Sequence, residues 1–279
     1  MGNGATAGSL GATSANVINN GSLVFNRSDA QSYTGLFSGT GALTVSTGSL
    51  TLSGGATYSG GTTLSSNSTP SSIVYMNNAP PSTSGFAGTG AVTIAPATGS
   101  SFTSVFSPTY SFASTITGLT IGSSRNTQSI NLNSPINITG PISIGGGTVT
   151  LTTSLQSTGL NSGITILATA GIQSNYSNLI GASITTNSGN VLLSSGVGTG
   201  VGSIRMLNGL TINTSGGSIT LGGANSTGSG FATGISTSYA EGIRVDAGLT
   251  LNSGNGNIII QGQSFAGTPV ANGGGRGFV

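Results

Sequence analysis

The chain has 279 residues, of which 50 are Gly and only 3% are charged, with a formal net charge of +2. Lys, His, Cys and Trp do not occur. Such a chain excludes a nucleic-acid binder, which needs clustered Lys and Arg, and it excludes disulfides and thiolate metal sites. It also departs from ordinary soluble domains, where about a quarter of residues are charged. Disorder does not follow from the low charge, because 35% of residues are apolar and mean hydropathy is positive.

The first twenty residues, MGNGATAGSLGATSANVINN, carry neither a basic start nor an apolar core of a signal peptide. No apolar run approaches the ~18 residues of a membrane helix. From there on, apolar residues recur two apart. The N-terminal pairs are Leu23/Phe25, Leu43/Val45, Leu50/Leu52 and Val92/Ile94. The middle of the chain adds Leu119/Ile121, Ile130/Leu132, Ile136/Ile138, Ile142/Ile144, Val149/Leu151 and Ile164/Ile166. The last third supplies Val191/Leu193, Ile204/Met206, Leu210/Ile212, Ile219/Leu221, Ile243/Val245, Leu249/Leu251 and Ile258/Ile260. The intervening residue is usually Thr, Ser or Asn. Period two with a polar outer face predicts half-buried strands, and the Gly, Asn and Ser clusters between them predict turns. No stretch carries a helical period.

The stretch GLTINTSGGSITLGG (209–223) returns 39 residues later as GLTLNSGNGNIIIQG (248–262). GASITTNSGNVLLSS (181–195) is a weaker copy. Self-similarity at a fixed period predicts a repeat architecture. Read as two coils of roughly twenty residues each, the period predicts an all-β, right-handed parallel β-helix (β-solenoid) of roughly 20-residue coils. About fourteen such coils at ~4.8 Å give a rod some 65 Å long. Inward aliphatic residues then stack coil on coil, and glycines take the tight corners. A meander of hairpins competes, but corners such as Gly140-Pro141 suit three short strands per turn better.

Pro70, Pro80, Pro81, Pro96 and Pro108 break the pattern, and six of the fifteen Phe and Tyr residues lie between Tyr75 and Phe112. The chain is therefore divided into regular coils over 1–64, an irregular Pro- and aromatic-rich excursion or distorted coils over 65–115, and regular coils over 116–279. The excursion reads as a covering loop or a ligand-binding protrusion.

GALTVSTGSLTLSGGATYSGGTTLS (41–65) resembles the strand repeat of bacterial autotransporter passenger domains, matching it at Gly48, Leu50, Leu52, Gly54, Thr57, Tyr58, Gly60, Gly61, Thr62 and Thr63. The second half, from GLTIGSSRNTQSINLNSPINITGPISI (118–144) onward, is similar to the repeats of filamentous-haemagglutinin-like adhesins. The resemblance implies a right-handed parallel β-helix, export to the bacterial surface, and a role in adhesion, aggregation or biofilm. The family's Asn-Pro-Asn-Leu secretion motif is missing here, so the resemblance implies an internal stalk segment.

Catalysis is poorly provided for. Glycosidases need two facing carboxylates, and the acids are Asp29 beside Arg27, and Glu241 and Asp246 flanking Arg244. Both Asp246 and Arg244 share the outward parity of their segment, which predicts a surface ion pair. GVGTGVG (196–202) lacks the register and the Lys of a phosphate loop, and GGGRG (273–277) reads as a flexible end. Outward rows such as Thr148/Thr150/Thr152 read as a solvated sheet face. The expectation is no enzyme, with no catalytic, cofactor-binding or metal residues and no cofactor. Expected partners are a host or neighbouring-cell surface or its glycans, with end-to-end self-association as a second possibility. Neither nucleic acid nor membrane insertion is expected, and the expected location is secreted or at the bacterial surface. The alternatives are a fibre or sheath subunit joined through its end coils around Val17 and Ile260, and, last, a polysaccharide-active enzyme.

Overall fold

The computed structural model describes residues 1–65, 70–76, 85–174, 182–207, 209–236 and 240–266. Over these the chain is all-β without a helix, and its strands pair in parallel to build long sheets, the largest of fifteen strands. The arrangement is consistent with a β-solenoid. Pro80, Pro81 and the GGGRG stretch lie outside the described residues.

One ladder runs through the whole stack. Its ten rungs put Gln31, Leu50, Ile73, Val92, Leu119, Ile142, Ile164, Val191, Ile219 and Ile258 in register. Two residues further along each rung, Tyr33, Leu52, Tyr75, Ile94, Ile121, Ile144, Ile166, Leu193, Leu221 and Ile260 form a second column. The strands alternate as the sequence does: in Ser71–Met76 and Gly90–Ala95 every second residue is buried. Each buried Ile or Leu contributes about 1.5–3 kcal/mol by leaving water, but only when a like rung lies above or below it. That need explains why the chain repeats itself.

From residue 130 onward two further ladders accompany the first. The second aligns Ile130, Val149, Ile172, Ile204 and Ile243. The third aligns Ile136, Leu155, Ile184, Ile212 and Leu251. The chain visits first, second and third in turn and then begins the next rung. Near the N-terminus a counterpart of the third ladder aligns Leu23, Leu43 and Thr62, and Thr62 with Phe86.

The 39-residue echo has a different meaning from the one its length suggests. Ile204, Leu210 and Ile219 pair directly with Ile243, Leu249 and Ile258. The period is one step of the stack, not two coils of twenty. Steps along the first ladder are 19 residues from Gln31 to Leu50, 23 from Leu119 to Ile142, 28 from Val191 to Ile219 and 39 from Ile219 to Ile258. Ladder positions are constrained by burial, whereas corners between ladders tolerate inserted chain at little entropic cost. Ten rungs at ~4.8 Å stack to about 45 Å, shorter than a uniform 20-residue coil predicts.

The repeated phrase also encodes a corner. Thr186, Thr214 and Ser253 are buried, and each hydroxyl donates to the carbonyl three residues on, of Gly189, Gly217 and Gly256 respectively. A Cβ on Gly217 would lie 2.2 Å from the Gly189 carbonyl oxygen, and one on Gly256 2.3 Å from that of Gly217. The glycines are there because successive corners stack backbone on backbone.

Within 65–115, Ser71–Met76 and Gly90–Ala95 are full rungs of the first ladder. Residues 96–115 carry only isolated bridges, Phe106 with Ile130 and Phe112 with Phe86. Their rings do not protrude. Phe102, Phe106 and Tyr110 are buried and join one core with Phe86 and Ile116. Phe86 stacks on Phe112 at 5.2 Å and meets Tyr110 edge-on at 6.0 Å, geometries favoured by the ring quadrupole. Among the described residues every buried Phe and Tyr precedes Ile116, and the core beyond is aliphatic.

The two ends of the stack differ. Residues 1–16 lie over the first rungs: the Asn26 amide donates to the Met1 carbonyl, and the Thr34 amide to that of Thr13. Met1 and Leu10 pack against the core. At the far end Ile258, Ile259 and Ile260 are 36–45% exposed.

Candidate functional site: a groove between two inserted loops

The wider coils toward the C-terminus build a concavity. Its floor is the outward row of the second ladder. Thr148, Gly171 and Ser203 are in register on three successive rungs, beside Thr150, Gln173 and Arg205. Gly171 packs closely on the next rung: a Cβ there would lie 3.1 Å from the Ser203 carbonyl oxygen. Gln173 Nε2 donates to Thr150 Oγ1 at 3.2 Å.

The walls come from segments outside the three long ladders. The 196–202 loop turns on itself through the Gly200 amide and the Gly196 carbonyl, 2.8 Å apart. Thr199 Oγ1 ties it to the Thr169 carbonyl at 2.7 Å, and Ser195 Oγ holds the Gly202 carbonyl at 2.6 Å. The second loop, inserted after Gly223, meets the first through paired bonds between Gly202 and Thr233, 3.1 and 2.9 Å, one of the few antiparallel contacts in the fold. Together they enclose a groove of about 410 Å³ lined by Thr199, Val201, Gln173, Arg205 and Ile235 among others.

The charged residues singled out from the sequence pair as their spacing suggests. Arg244 Nε lies 2.5 Å from Asp246 Oδ1, and its Nη1 lies 3.9 Å from Glu241 Oε1. Arg205 and Arg244 are adjacent on successive rungs. At the other end Arg27 holds Asp29 through two bonds of 2.9 and 2.8 Å and also donates to the Gly8 carbonyl. The Arg27 hydrogen bond keeps the Asp29 carboxyl below its ordinary range. That favours the fold above the ordinary carboxylate range and is lost as pH falls through the lowered value. The pair pins residues 1–16 in place. Of the Thr148/Thr150/Thr152 row, Thr148 lines the groove, while Thr152 Oγ1 donates to the Leu132 carbonyl at a corner. The GVGTGVG stretch is the groove's wall.

Sequence reasoning did not find this groove. Its signals were present: a glycine-rich loop with no ladder residue, an outward Gly171 in a row of Thr and Ser, and an inserted segment before Ile243. Each is weak alone, and only the register brings them together.

Burial displaces the ionisation of three tyrosines. Tyr58, Tyr75 and Thr62 hydroxyls form a buried triangle: Tyr58 to Thr62 is 2.7 Å, Thr62 to Tyr75 is 3.1 Å, and the two phenols bond each other. Burial raises the Tyr58 phenol, raises Tyr75 well above the ordinary phenol range, and pushes Tyr110 up to about 12. A raised phenol favours the fold below about pH 10 and withdraws that support as pH climbs through the raised value. Absorbance titration should therefore show Tyr58, Tyr75 and Tyr110 ionising at higher pH in the native chain than in the denatured chain. Coincident native and denatured curves would contradict the buried triangle.

No protein-family model, curated protein or solved structure matches the chain.

Proposed function

We propose that the chain is a structural and adhesive stalk segment of a secreted bacterial surface protein, acting in adhesion, aggregation or biofilm. In this reading the stack is a right-handed parallel β-helix with a basic coil of about 20 residues, lengthened by inserted loops toward the C-terminus. The supporting observation is the first ladder: ten unbroken in-register rungs that hold the molecule together by backbone bonds and aliphatic columns. Such a body is a spacer that presents loops along its side. The resemblance to autotransporter and filamentous-haemagglutinin-like repeats points the same way. The test is display of the chain on beads or cells, followed by adherence to bacterial and host surfaces. Adherence above that of a scrambled chain is expected. Turnover of a polysaccharide by the purified chain, without adherence, would overturn the reading.

A second reading, a subunit that associates through its end, is favoured by the exposed Ile258–Ile260 strand, which among the described residues pairs on one side only, with Ile219–Gly223. Open strand edges template further pairing. Because residues 1–16 lie over the opposite end, this reading predicts contact through the Ile260 end rather than the Val17 end. Particle length by negative-stain microscopy across a concentration series separates the two. Constant short rods support the stalk, and concentration-dependent lengthening supports the fibre.

A further inference from the structure

We propose that residues 1–16 are an autoinhibitory strap, and that the strand edge beneath them takes the Ile258–Ile260 edge of a second copy of this chain, head to tail. The inference rests on the end-association reading and adds where the second copy docks and what holds it off. The edges at the two ends of the stack belong to one ladder. Gln31 and Tyr33 begin the two columns that Ile258 and Ile260 finish. Every pair along it is parallel, so a second copy stacked in the same direction continues the ladder with its strand sense and its inward face unchanged. With the strap in place only the Ile260 end is open, and lifting the strap opens the other.

The hydrogen bonds mark the place that the second copy takes. On other rungs the residue after the second column donates its amide to the column residue one rung back: Ser53 to the Tyr33 carbonyl at 2.9 Å, and Gln261 to the Leu221 carbonyl at 2.8 Å. Thr34 holds that position on the first rung, and its amide donates to the Thr13 carbonyl at 2.8 Å. Thr13 therefore stands in for the carbonyl that Ile260 of a second copy supplies. The match goes no further. Alternate residues of a parallel strand turn their backbone groups to the same neighbour. Ala30 and Ser32 share the parity of Thr34, are exposed, and among the described residues receive no backbone bond from 1–16. The strap is also held lightly. It contains no strand, and within it only Met1 and Leu10 are not exposed. These two cover Tyr33: the Leu10 amide donates to its hydroxyl at 3.4 Å, and that hydroxyl lies 3.8 Å from Met1 Sδ. Further ties run from Arg27 to the Gly8 carbonyl and from the Ser28 amide to the Ala5 carbonyl at 3.3 Å. A second copy offers the same edge a complete rung and apolar surface, since Ile258, Ile259 and Ile260 are exposed and Leu251 is half-buried. Strap and second copy compete for one edge.

The test reads rod length by negative-stain microscopy and mass by light scattering across a concentration series. Gly2 has a φ of +79°, and a Cβ there would stand 2.4 Å from the Asn26 carbonyl oxygen. Gly2→Val therefore lifts the strap in the full chain while leaving every ladder residue in place. Lengthening should set in at a concentration about tenfold or more below that of the unaltered chain, because the open edge is no longer a minor state. Deletion of residues 2–16 should act in the same direction, and Gly2→Val decides the matter if the shortened chain fails to fold. The Ile260 amide faces away from Ile219–Gly223, which bonds Asn257 and Gln261 instead. Ile260→Pro removes that donor from a free edge, where proline is tolerated, and should abolish lengthening in the Gly2→Val chain. Equal lengthening with and without the strap would overturn the inference and leave the end-association reading standing. No lengthening of any variant would overturn both. Lengthening that survives Ile260→Pro would place the contact elsewhere on the body and overturn the docking.

Discussion

Replacing Ile166 by Ala is expected to cost about 2–5 kcal/mol of stability, while replacing its neighbour Thr165 by Ala stays within about 0.5 kcal/mol. Ile166 is fully buried at the middle of the first ladder, with Ile144 on one side and Leu193 on the other. Truncation leaves a void bounded by two rungs, and the columns above and below cannot close it because backbone pairing fixes the rung spacing. Thr165 lies between Ser143 and Leu192 on the outer face, half-exposed to water. An aspartate at 166 should be worse than alanine, since a carboxylate there would have neither water nor a partner. Denaturant unfolding of the three variants checks the order. Equal losses at 165 and 166 would mean that the strand's two faces have been exchanged.

The second large effect is expected at a corner. Gly88 has a φ of +85°, and a Cβ there would stand 1.8 Å from the Leu64 carbonyl oxygen. Alanine must pay for the left-handed backbone, about 1–2 kcal/mol, and must also push two rungs apart, about 1–3 kcal/mol. A loss of about 3 kcal/mol is expected. Gly248 is the control: its backbone is ordinary and nothing lies within 4 Å of the added Cβ. Gly248→Ala should be neutral or stabilise by up to about 1 kcal/mol through the unfolded chain. Thermal or denaturant midpoints of the two variants decide it. If both substitutions were equally mild, the close stacking of rungs at Leu64 and Gly88 would be wrong.

The strands were legible because their inward and outward residues differ in kind. Leu119/Ile121, Ile142/Ile144 and Ile164/Ile166 read as buried pairs in the sequence and lie in register in the structure. What the sequence did not reveal was the bookkeeping between strands. The echo from Ile219 to Ile258 looked like two coils because its length is near twice twenty, but inserted chain after Gly223 fills the difference. Insertion length leaves no mark on the hydrophobic period, so the number of rungs cannot be counted from it. The aromatic residues from Phe86 to Phe112 left two readings open, an excursion or distorted coils, for a related reason. Prolines and missing alternation suit either, and burial in a shared core depends on contacts with Ile116 and Ile130 that sequence order hides. The groove was hidden most fully, since Gly171, Arg205 and Ile235 are separated by dozens of residues and share no pattern.

The central claim is that the 39-residue echo is a single step between touching rungs. Thr211 and Thr250 are exposed outward positions that pair directly. The chain has no Cys, so a Thr211→Cys, Thr250→Cys double variant carries the only two thiols. Adjacent parallel strands hold such positions ~4.8 Å apart, within reach of a disulfide or a short bifunctional thiol reagent. Rapid intramolecular cross-linking in the folded chain, lost on denaturation, is the predicted result. If another coil lay between them, the positions would be about 9.6 Å apart, beyond the reach of a disulfide. Two free thiols persisting under oxidation in the folded chain would contradict the stacking described here.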